Sequence, residues 1–510
     1  MSFDQRYFSG RIGRADELKG RAYRIYRTLE MIPGILAWLT IILAVVASYK
    51  IPLYAAIFII AFDVYWFVKT AFLSIHLVQN WRRVRHSLKV DWYNVLAPIP
   101  HDHMYHMVAL PFYKEDYSII AKSLDAIRDA RTDHKKIIIV LAVEERAGQE
   151  AQDKASRARA EYGSIFGTFF VATHPADRPG EMAGKGSNIS YACEEARRYV
   201  LDAQNIPYNH VIVSAFDIDT IVYPEYFSCL NWHVLTHKRP LHASFQPVPL
   251  YNNNIWSVPA LSRVVAFSGT FWQMVQQERP ERLATFSSHA LLFETLYKVG
   301  YWQKNMVSED SRIFWNCFIA HDGDYEVIPM SYPVSMDANL APTFWGTIRN
   351  IYLQQRRWSW GVENVPYICY NFLWNDKIRL RRKLKMMFVQ FEGFWSLATN
   401  PILIFLLGWL PVIIGRGSFR GLVLAYNLPF ITRNIMIVTM AGLILSSFLT
   451  FTLLPKAPAS TRWWKKLWFI IQWILAPITI TLFGAIPSLD SETRLLLGKY
   501  MGFWVTPKHR

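Results

Sequence analysis

The hydrophobic positions of this chain fall into blocks near its two ends, and the middle alternates between short apolar and polar runs. The apolar blocks lie at about 33–48, 52–78, 386–415, 428–455 and 467–487. A helix needs about 20 apolar residues to cross the hydrocarbon core of a bilayer, and these blocks are near or above that length. The pattern predicts five membrane spans, two before the middle region and three after it.

The basic residues beside these blocks predict their orientation. Lysines and arginines flank the first pair at 11–27 and 82–89, so the positive-inside rule places both flanks in the cytoplasm. A buried hairpin of a soluble protein is the alternative for this pair. A further basic run at 377–385 fits the anionic cytoplasmic leaflet. Five spans would leave the C-terminus outside, whereas Lys499 and Arg510 favour the inside, so the parity stays open.

The middle region alternates strand-like apolar runs with helical segments. The strand-like runs are Met107–Leu110, Ile137–Val143, Phe169–Val171 and Val211–Phe216, and the helical segments include Tyr117–Ala130 and Asn188–Leu201. This alternation predicts an α/β domain with a mostly parallel, Rossmann-like sheet, in which ligands bind at the carboxyl ends of the strands. We therefore divide the chain into 1–89, an α/β domain at 90–375, and 376–510.

Composition narrows the class of protein. The 510 residues are 52% hydrophobic and 18% charged, which excludes a disordered or collagen-like chain. No cleavable signal peptide is visible. The net charge of +16 lies largely beside the apolar blocks, where lipid headgroups account for it, so we expect no nucleic-acid partner. The cysteines form no CxxC pair, which disfavours zinc and favours a reducing compartment; they are Cys193, Cys229, Cys317 and Cys369.

Two acidic motifs are candidates for chemistry. Asp217-Ile218-Asp219 ends an apolar strand, and its carboxylates suit Mg²⁺ or Mn²⁺, which bridge phosphates. Because strand side chains alternate faces, the chain must turn there for both to reach one ligand. Ser308-Glu309-Asp310 precedes an apolar helix, and in isolation it is typical of a helix N-cap.

Two basic motifs complete the candidates. Gly184–Asn188 places small residues around Lys185 before a helix, where backbone amides and the lysine can hold a diphosphate. Gln354–Trp358 is typical of an interfacial helix when taken alone. The functional alternative is that Arg357 neutralises a phosphate leaving group and Trp358 stacks on a sugar ring.

In this order, and between the predicted spans, these motifs resemble those of the family-2 glycosyltransferases. The resemblance is to the membrane-embedded branch of cellulose-synthase-like and hyaluronan-synthase-like enzymes, and it covers about residues 100–365. The matching segments are Ala109–Glu115, Lys185–Asn188, Asp217–Asp219, Tyr223–Phe227, Glu309–Asp310 and Gln354–Trp358.

The resemblance implies a GT-A domain at the cytoplasmic face of the plasma membrane. It implies a nucleotide-sugar donor, with a UDP-sugar favoured, and Mg²⁺ or Mn²⁺ as cofactor. Asp219, together with Asp217, would hold the metal, and Asp310, beside Glu309, would be the general base. Donor contacts are implied for Pro111, Glu115, Glu144, Lys185, Asn188, Asp217 and Arg357. A single displacement inverts the anomeric configuration.

The acceptor side is less fully specified. The resemblance assigns Gln354 and Trp358 to the acceptor, and His289 is either an acceptor contact or a structural residue. Phe267–Thr270 takes the place of the family's acceptor-lining turn and matches it loosely. The family usually has aspartate at the base-binding position, but here the second strand ends in Glu144, which is one methylene longer.

A separate histidine group is a weaker candidate. His101, His103 and His106 have spacings that suit a metal, with polar contacts at the membrane interface as the alternative.

Three functions are compatible with these observations. The first is a processive β-polysaccharide synthase that also passes the glycan through its spans. The second is a single-addition transferase acting on a lipid or glycan acceptor, and the third is a non-catalytic adaptor. The intact acidic motifs disfavour the adaptor, and an aromatic acceptor platform favours processivity. Trp395, Trp409 and Trp473 are available to line a channel, with lipid-facing anchoring as the simpler role.

Overall fold

The structure is a computed structural model that describes residues 11–458 and 462–506, so Arg510 lies outside the described residues. An eight-stranded sheet forms its centre, in the order β3-β2-β1-β4-β7-β6-β8-β5. The strands are β1 (Tyr105–Phe112), β2 (Ile137–Glu144), β3 (Thr168–His174), β4 (Val211–Ala215), β5 (Ile221–Val222), β6 (Ala243–Leu250), β7 (His289–Leu292) and β8 (Glu326–Ser335).

The sheet has a parallel part and a mixed part. Strands β3, β2, β1 and β4 are parallel neighbours. Beyond them, β7 pairs antiparallel with β4 and β6, β6 pairs parallel with β8, and β8 pairs antiparallel with β5. The predicted α/β class is confirmed, and each of the four predicted strands falls within an observed strand or ends one residue beyond it.

The side chains of β2 show that the parallel part of the sheet is buried on both faces. Ile138, Val140 and Ala142 pack into one hydrophobic core, and the intervening side chains pack into a second core on the opposite face. Every residue of this strand is buried. Helices therefore cover both faces, as is typical of parallel sheets.

Helices lie between the strands in sequence, and further helices precede the first strand and follow the last one. Those before and within the sheet region are α1 (Gly20–Lys50), α2 (Pro52–Ser87), α3 (Trp92–Leu96), α4 (Tyr117–Arg128), α5 (Gln149–Tyr162), α6 (Lys185–Ala196), α7 (Tyr226–Thr236), α8 (Ala260–Gln277), α9 (Phe293–Lys298) and α10 (Glu309–Ala320). Those after the sheet are α11 (Phe344–Ser359), α12 (Asn364–Trp374), α13 (Leu380–Ile402), α14 (Leu410–Ile414), α15 (Val423–Leu453), α16 (Trp463–Ile471), α17 (Ala476–Ile480) and α18 (Ile486–Leu496).

One local expectation is wrong. Phe267–Thr270 was expected to form a turn, but it lies inside α8. Val264, Phe267 and Phe271 recur at helical spacing and are buried in one hydrophobic core, so burial of this face stabilises a continuous helix.

Within the described residues, three helical stretches are long and apolar enough to cross a membrane: Gly20–Lys50, Pro52–Ser87 and Trp463–Leu496. They agree with the first, second and last of the predicted apolar blocks. A shorter apolar helix, Val423–Val438, overlaps the start of the fourth block. The number of C-terminal spans and their parity stay predictions.

Two of the tryptophans considered for a channel pack between helices. The indole of Trp395 donates to Thr40 Oγ1 of α1 at 2.9 Å. Trp473 is buried and stacks on Phe271 of α8, with 5.5 Å between ring centroids. These contacts accord with a packing role for both side chains.

Candidate active site

The carboxyl ends of β1, β2 and β4 meet at one edge of the sheet and form the wall of an open cleft, whose empty space, including the part open to solvent, is about 1310 Å³. Pro111 of β1, Glu144 at the end of β2, and Asp217 just beyond β4 all line it. Parallel strands bring their carboxyl ends to a common edge, so residues far apart in sequence become neighbours there.

The chain turns at the first acidic motif, as the alternation of strand side chains requires. The amide of Thr220 donates to the carbonyl of Asp217 at 2.9 Å, and both Asp217 and Asp219 line the cleft. Ser287 Oγ donates to Asp217 Oδ2 at 2.8 Å. The amide of Asp337 donates to Asp219 Oδ2 at 3.0 Å, which fixes that carboxylate in its largely buried position.

Lys185 joins the two acidic motifs. It is the first residue of α6, and its Nζ lies 2.7 Å from Asp217 Oδ1 and 2.9 Å from Asp310 Oδ1. Burial alone would lower the pKa of Lys185, but the carboxylates of Asp217 and Asp310 raise it above its ordinary value. The lysine therefore stays charged and holds two acids close together.

Asp310 and Glu309 form the first turn of α10. Burial raises the pKa of Asp310, and Lys185 lowers it again in part, so this carboxylate is a stronger base than an exposed aspartate. Burial and the neighbouring carboxylate of Asp310 raise the pKa of Glu309. Ser308 makes no side-chain cap; its amide donates instead to Glu363 Oε1 at 2.9 Å, so Glu363 anchors the start of the helix.

Residues that follow β1 and β2 line another part of the cleft. Glu144 is largely buried there and is ion-paired with Arg146. Glu115 accepts from the amide of Tyr113 at 2.7 Å, so its carboxylate shapes the loop after β1. Asn188 Nδ2 donates to the carbonyl of Ala142 at 3.0 Å, while its Oδ1 is buried without a hydrogen-bond partner.

The motif Gln354–Trp358 lies in helix α11, and its side chains point from two faces of that helix. Gln354, Arg357 and Trp358, spaced three and four apart, share the face that lines the cleft. On another face, Tyr352 and Arg356 contact Asp490 of α18 at 3.0 and 3.1 Å. The motif therefore lines the cleft and also packs against α18, which ends the apolar stretch Trp463–Leu496.

Trp358 lines the cleft and lies among aromatic rings. Its ring centroid is 5.8 Å from that of Tyr251 and 5.7 Å from that of Phe286, which meets it edge-on. Gln354 accepts from Asn339 Nδ2 at 3.5 Å nearby. Flat rings beside amide groups form a surface that suits a sugar, with its apolar faces and hydroxyl edges.

The family model described as "Glycosyl transferase family group 2" matches residues 212–486, which is more than half of the chain. The chain belongs to this family. No curated protein matches the sequence.

Two solved structures show distant likeness. The mannosyltransferase PcManGT from Pyrobaculum calidifontis, in complex with GDP-Man and Mn²⁺, gives a TM-score of 0.43 at 14% identity, covering 87% of this chain and 100% of that one. S. aureus TarS 1-349 gives a TM-score of 0.36 at 10% identity, covering 78% of this chain and 93% of that one. Both are too distant to assign roles to individual residues.

The carboxylates in the cleft of this family-2 glycosyltransferase fit a divalent metal that is bound jointly by the protein and a substrate. Among the described residues, no three His, Cys, Asp or Glu side chains group as a complete metal site. Mg²⁺ is commonly bound by one or two carboxylates together with substrate phosphates, so a complete protein cage is not required. Asp217 and Asp219 supply two carboxylates at one wall of the cleft.

The predicted histidine group does not converge in the glycosyltransferase. His106 is buried against Phe227, and His103 instead meets His210 edge-on, with 4.7 Å between ring centroids. Alternation of side chains along β1 sends His106 into the core, which separates it from the other two.

His289 lies behind the cleft wall with no exposed surface. Its Nε2 accepts from Trp302 Nε1 at 3.1 Å, and its Nδ1 is 2.9 Å from the carbonyl of Ser287. Burial, with Lys185 nearby, lowers the pKa of His289 to about 3, so the ring is neutral. These contacts accord with the structural alternative, because they orient the loop that carries Ser287 toward Asp217.

Sequence reasoning missed the chain's C-terminal segment as part of the site. Phe503, Val505 and Thr506 line the cleft, and the guanidinium of Arg357 lies 5.0 Å from the Phe503 ring centroid. A Cβ on Gly184 would lie 2.6 Å from the Phe503 ring, so this position requires glycine. The signal in the sequence is the apolar run Phe503-Trp504-Val505 beyond the last helix.

Contacts with the first helix hold this segment in place. Tyr500 donates to Glu30 Oε2 at 2.8 Å, and Arg27 Nη1 donates to the carbonyl of Leu495 at 2.8 Å. Arg14 lies over the Tyr500 ring, 5.3 Å from its centroid. The N-terminal region therefore fixes the segment around Leu495 and Tyr500, which leads to the residues that line the candidate site.

Proposed function

We propose that this protein is an inverting, metal-dependent membrane glycosyltransferase that builds a β-linked polysaccharide processively from a nucleotide-sugar, with a UDP-sugar favoured. The observation that carries the proposal is the meeting of Lys185 with Asp217 and Asp310 at 2.7 and 2.9 Å, in a cleft that also contains Arg357 and Trp358. A general base, cationic groups for a diphosphate and an aromatic acceptor platform are then parts of one site.

Asp310 acts as the general base. Its carboxylate removes the proton from the acceptor hydroxyl as that oxygen attacks the anomeric carbon of the donor sugar. The nucleoside diphosphate leaves from the opposite face, so an α-linked donor gives a β-linked product. The neighbouring Glu309 is largely buried and keeps the first turn of α10 against Gly186, which fixes the direction of Asp310.

Lys185 and Arg357 stabilise the departing diphosphate, whose negative charge grows in the transition state. Before the donor binds, Lys185 pairs with both Asp217 and Asp310. A diphosphate competes for this ammonium, and when Lys185 turns to it Asp310 loses its cationic partner. Arrival of the donor therefore strengthens the base.

Asp219 and Asp217 would hold Mg²⁺ or Mn²⁺, which neutralises charge on the diphosphate when bound. The amide of Asp337 orients the Asp219 carboxylate, and Ser287 orients that of Asp217.

The cleft faces the cytoplasm of the plasma membrane in this proposal. Three helical stretches of the described residues are long and apolar enough to cross a bilayer, and basic residues flank the first two on the side of the α/β domain. The four cysteines are buried free thiols, as suits a reducing compartment.

A donor screen tests the proposal. Purified full-length protein in lipid would receive each radiolabelled nucleotide-sugar with Mg²⁺ or Mn²⁺, and the product would be sized before and after glycosidase digestion. We expect a high-molecular-weight, β-linked polymer from one donor. A single addition to a co-purified lipid or glycan would replace processivity with the single-addition function, and no turnover with any donor would contradict the proposal.

A further inference from the structure

We propose that Arg146 is a positioning residue for the nucleobase of the donor, an inference that rests on the proposed function. Arg146 lies two residues beyond Glu144, in the single helical turn Glu145–Ala147 that follows β2. Its guanidinium touches two groups at once: Nε donates to Glu144 Oε2, and Cζ lies 4.7 Å from the ring centroid of Tyr113. Glu144 and Tyr113 both line the cleft.

The Glu144 contact supplies order that a glutamate lacks by itself. Only 6% of this side chain is exposed, and a buried carboxylate needs a hydrogen-bonded partner to offset the water it has lost. Glutamate also has one more rotatable bond than aspartate, so its unpaired carboxylate samples more positions. A rigid guanidinium supplies the partner and fixes the direction of the carboxylate.

The Tyr113 contact fixes the second element of the base site. The amide of Tyr113 donates to Glu115 Oε2, which sets the backbone, and Arg146 covers one part of the ring. A guanidinium stacks well on an aromatic face, so this contact holds the Tyr113 ring in place. Arg146 thereby fixes the position of the Tyr113 ring relative to the Glu144 carboxylate, so that a packing surface and a hydrogen-bond acceptor keep a constant arrangement.

This arrangement favours particular bases. A fixed carboxylate accepts a hydrogen bond from a ring N–H, such as N3–H of uracil or N1–H of guanine. It is repelled by the bare ring nitrogen that cytosine and adenine present at the corresponding edge. If Arg146 is removed, Glu144 can turn away, and we expect binding to weaken and discrimination among bases to fall.

The chain contains a matched control. Arg157 also combines a tyrosine and a glutamate: its Cζ lies 3.9 Å from the Tyr117 ring centroid, and its Nε is 2.8 Å from Glu161 Oε1. These three residues lie outside the cleft lining. Arg157→Met therefore removes the same kinds of contact from the same domain without affecting the proposed site.

The test measures equilibrium binding of UDP, GDP, CDP and ADP, with Mg²⁺, to full-length protein in lipid nanodiscs. Inorganic pyrophosphate serves as a probe that lacks a base. For Arg146→Met we expect about tenfold weaker binding of the preferred nucleotide, a smaller ratio between bases, and unchanged pyrophosphate binding. Arg146→Lys keeps the charge but not the planar stack, so it should be intermediate, and Arg157→Met should match the wild type.

An unchanged ratio between bases in Arg146→Met, or an equal loss for pyrophosphate, would overturn the inference. If Arg146→Met does not fold, the same comparison made with Arg146→Lys decides the matter. If the wild-type protein binds none of the four nucleotides, the proposed function fails and this inference fails with it, a result that is distinct from a failure of the variants alone.

Discussion

The cleft has two proposed halves, one for the donor and one for the acceptor, and they are built from different chemical groups. In the donor half, the ammonium of Lys185 lies 2.7 Å from the carboxylate of Asp217 and 2.9 Å from that of Asp310. In the acceptor half, Tyr251 and Trp358 are rings whose centroids are 5.8 Å apart. The donor half therefore depends on a few strong ion pairs. The acceptor half depends on an aromatic surface to which many atoms contribute.

This difference predicts different responses to substitution. Charged, partly buried groups are costly to leave unpaired, so loss of one changes the energy of its neighbours as well. Aromatic surface contributes through many small contacts, so truncating a ring has a graded effect. Variants in the donor half should consequently lose almost all activity. Variants in the acceptor half should change the ratio of sugar transfer to donor hydrolysis.

The largest effect is expected for Asp310→Asn. An amide cannot take the acceptor proton, and loss of a general base costs roughly 10²- to 10⁴-fold in rate. Donor affinity should stay within a few-fold of wild type, because Asp217 still pairs with Lys185. Single-turnover rates and nucleotide-sugar affinity, measured on the same preparation, would separate the two quantities.

Asp322→Asn is the matched control for this variant. Asp322 follows the other end of α10 and pairs with Lys377 Nζ at 2.9 Å, so it offers another aspartate–lysine pair near the same helix. Its rate should be unchanged. Normal turnover by Asp310→Asn would remove Asp310 as the base.

The same contrast explains how much the sequence could predict. Lys185, Asp217 and Asp219 follow or begin regular elements of the parallel part of the sheet, and the common edge of such sheets brings them together. Glu309 and Asp310 begin a helix that the apolar pattern also indicates. Their convergence on one cleft therefore follows from local patterns and one rule of topology.

Strands β6, β7 and β8 and the position of Phe503 could not be predicted, because their local sequences are irregular or their contacts are distant in sequence. Strands β6 and β8 each contain two prolines, which argue against a central strand, and their register shifts between Gln246 and Val248. β7 has only four residues. Phe503 enters the cleft through contacts with Arg357 and Gly184 that are distant in sequence, so no local pattern could place it.

The next largest effect is expected for Asp219→Ala. Removing this carboxylate should weaken metal-dependent donor binding by about a hundredfold, with little change in binding measured without metal. Binding titrations of nucleotide-sugar against Mg²⁺ and Mn²⁺ would test this. Asp219→Asn retains an oxygen that accepts from the amide of Asp337, so it separates loss of charge from loss of that hydrogen bond. An unchanged metal dependence in both variants would contradict the assignment.

Trp358→Ala should sharpen the contrast, because it affects transfer more than donor hydrolysis. Loss of the ring removes an acceptor surface and leaves Lys185 and Asp217 intact, so we expect transfer to fall about tenfold further than hydrolysis. Product length and released nucleotide would be measured together. Trp358→Phe keeps an aromatic face and should retain most transfer. Equal loss of both reactions in Trp358→Ala would argue against an acceptor role.

The smallest effect is expected at Phe503, which lines the cleft beside Arg357. Arg357 is a proposed donor contact, and Phe503 belongs to a segment in which Tyr500 donates to Glu30 of α1. Phe503→Ala removes a cation–π contact and admits water beside the guanidinium, so the donor KM should rise about threefold while kcat changes little. Phe503→Leu keeps apolar bulk and should fall between the variant and the wild type. If kcat fell instead and KM stayed constant, the ring would serve the transition state, and the donor half would then extend into the C-terminal segment.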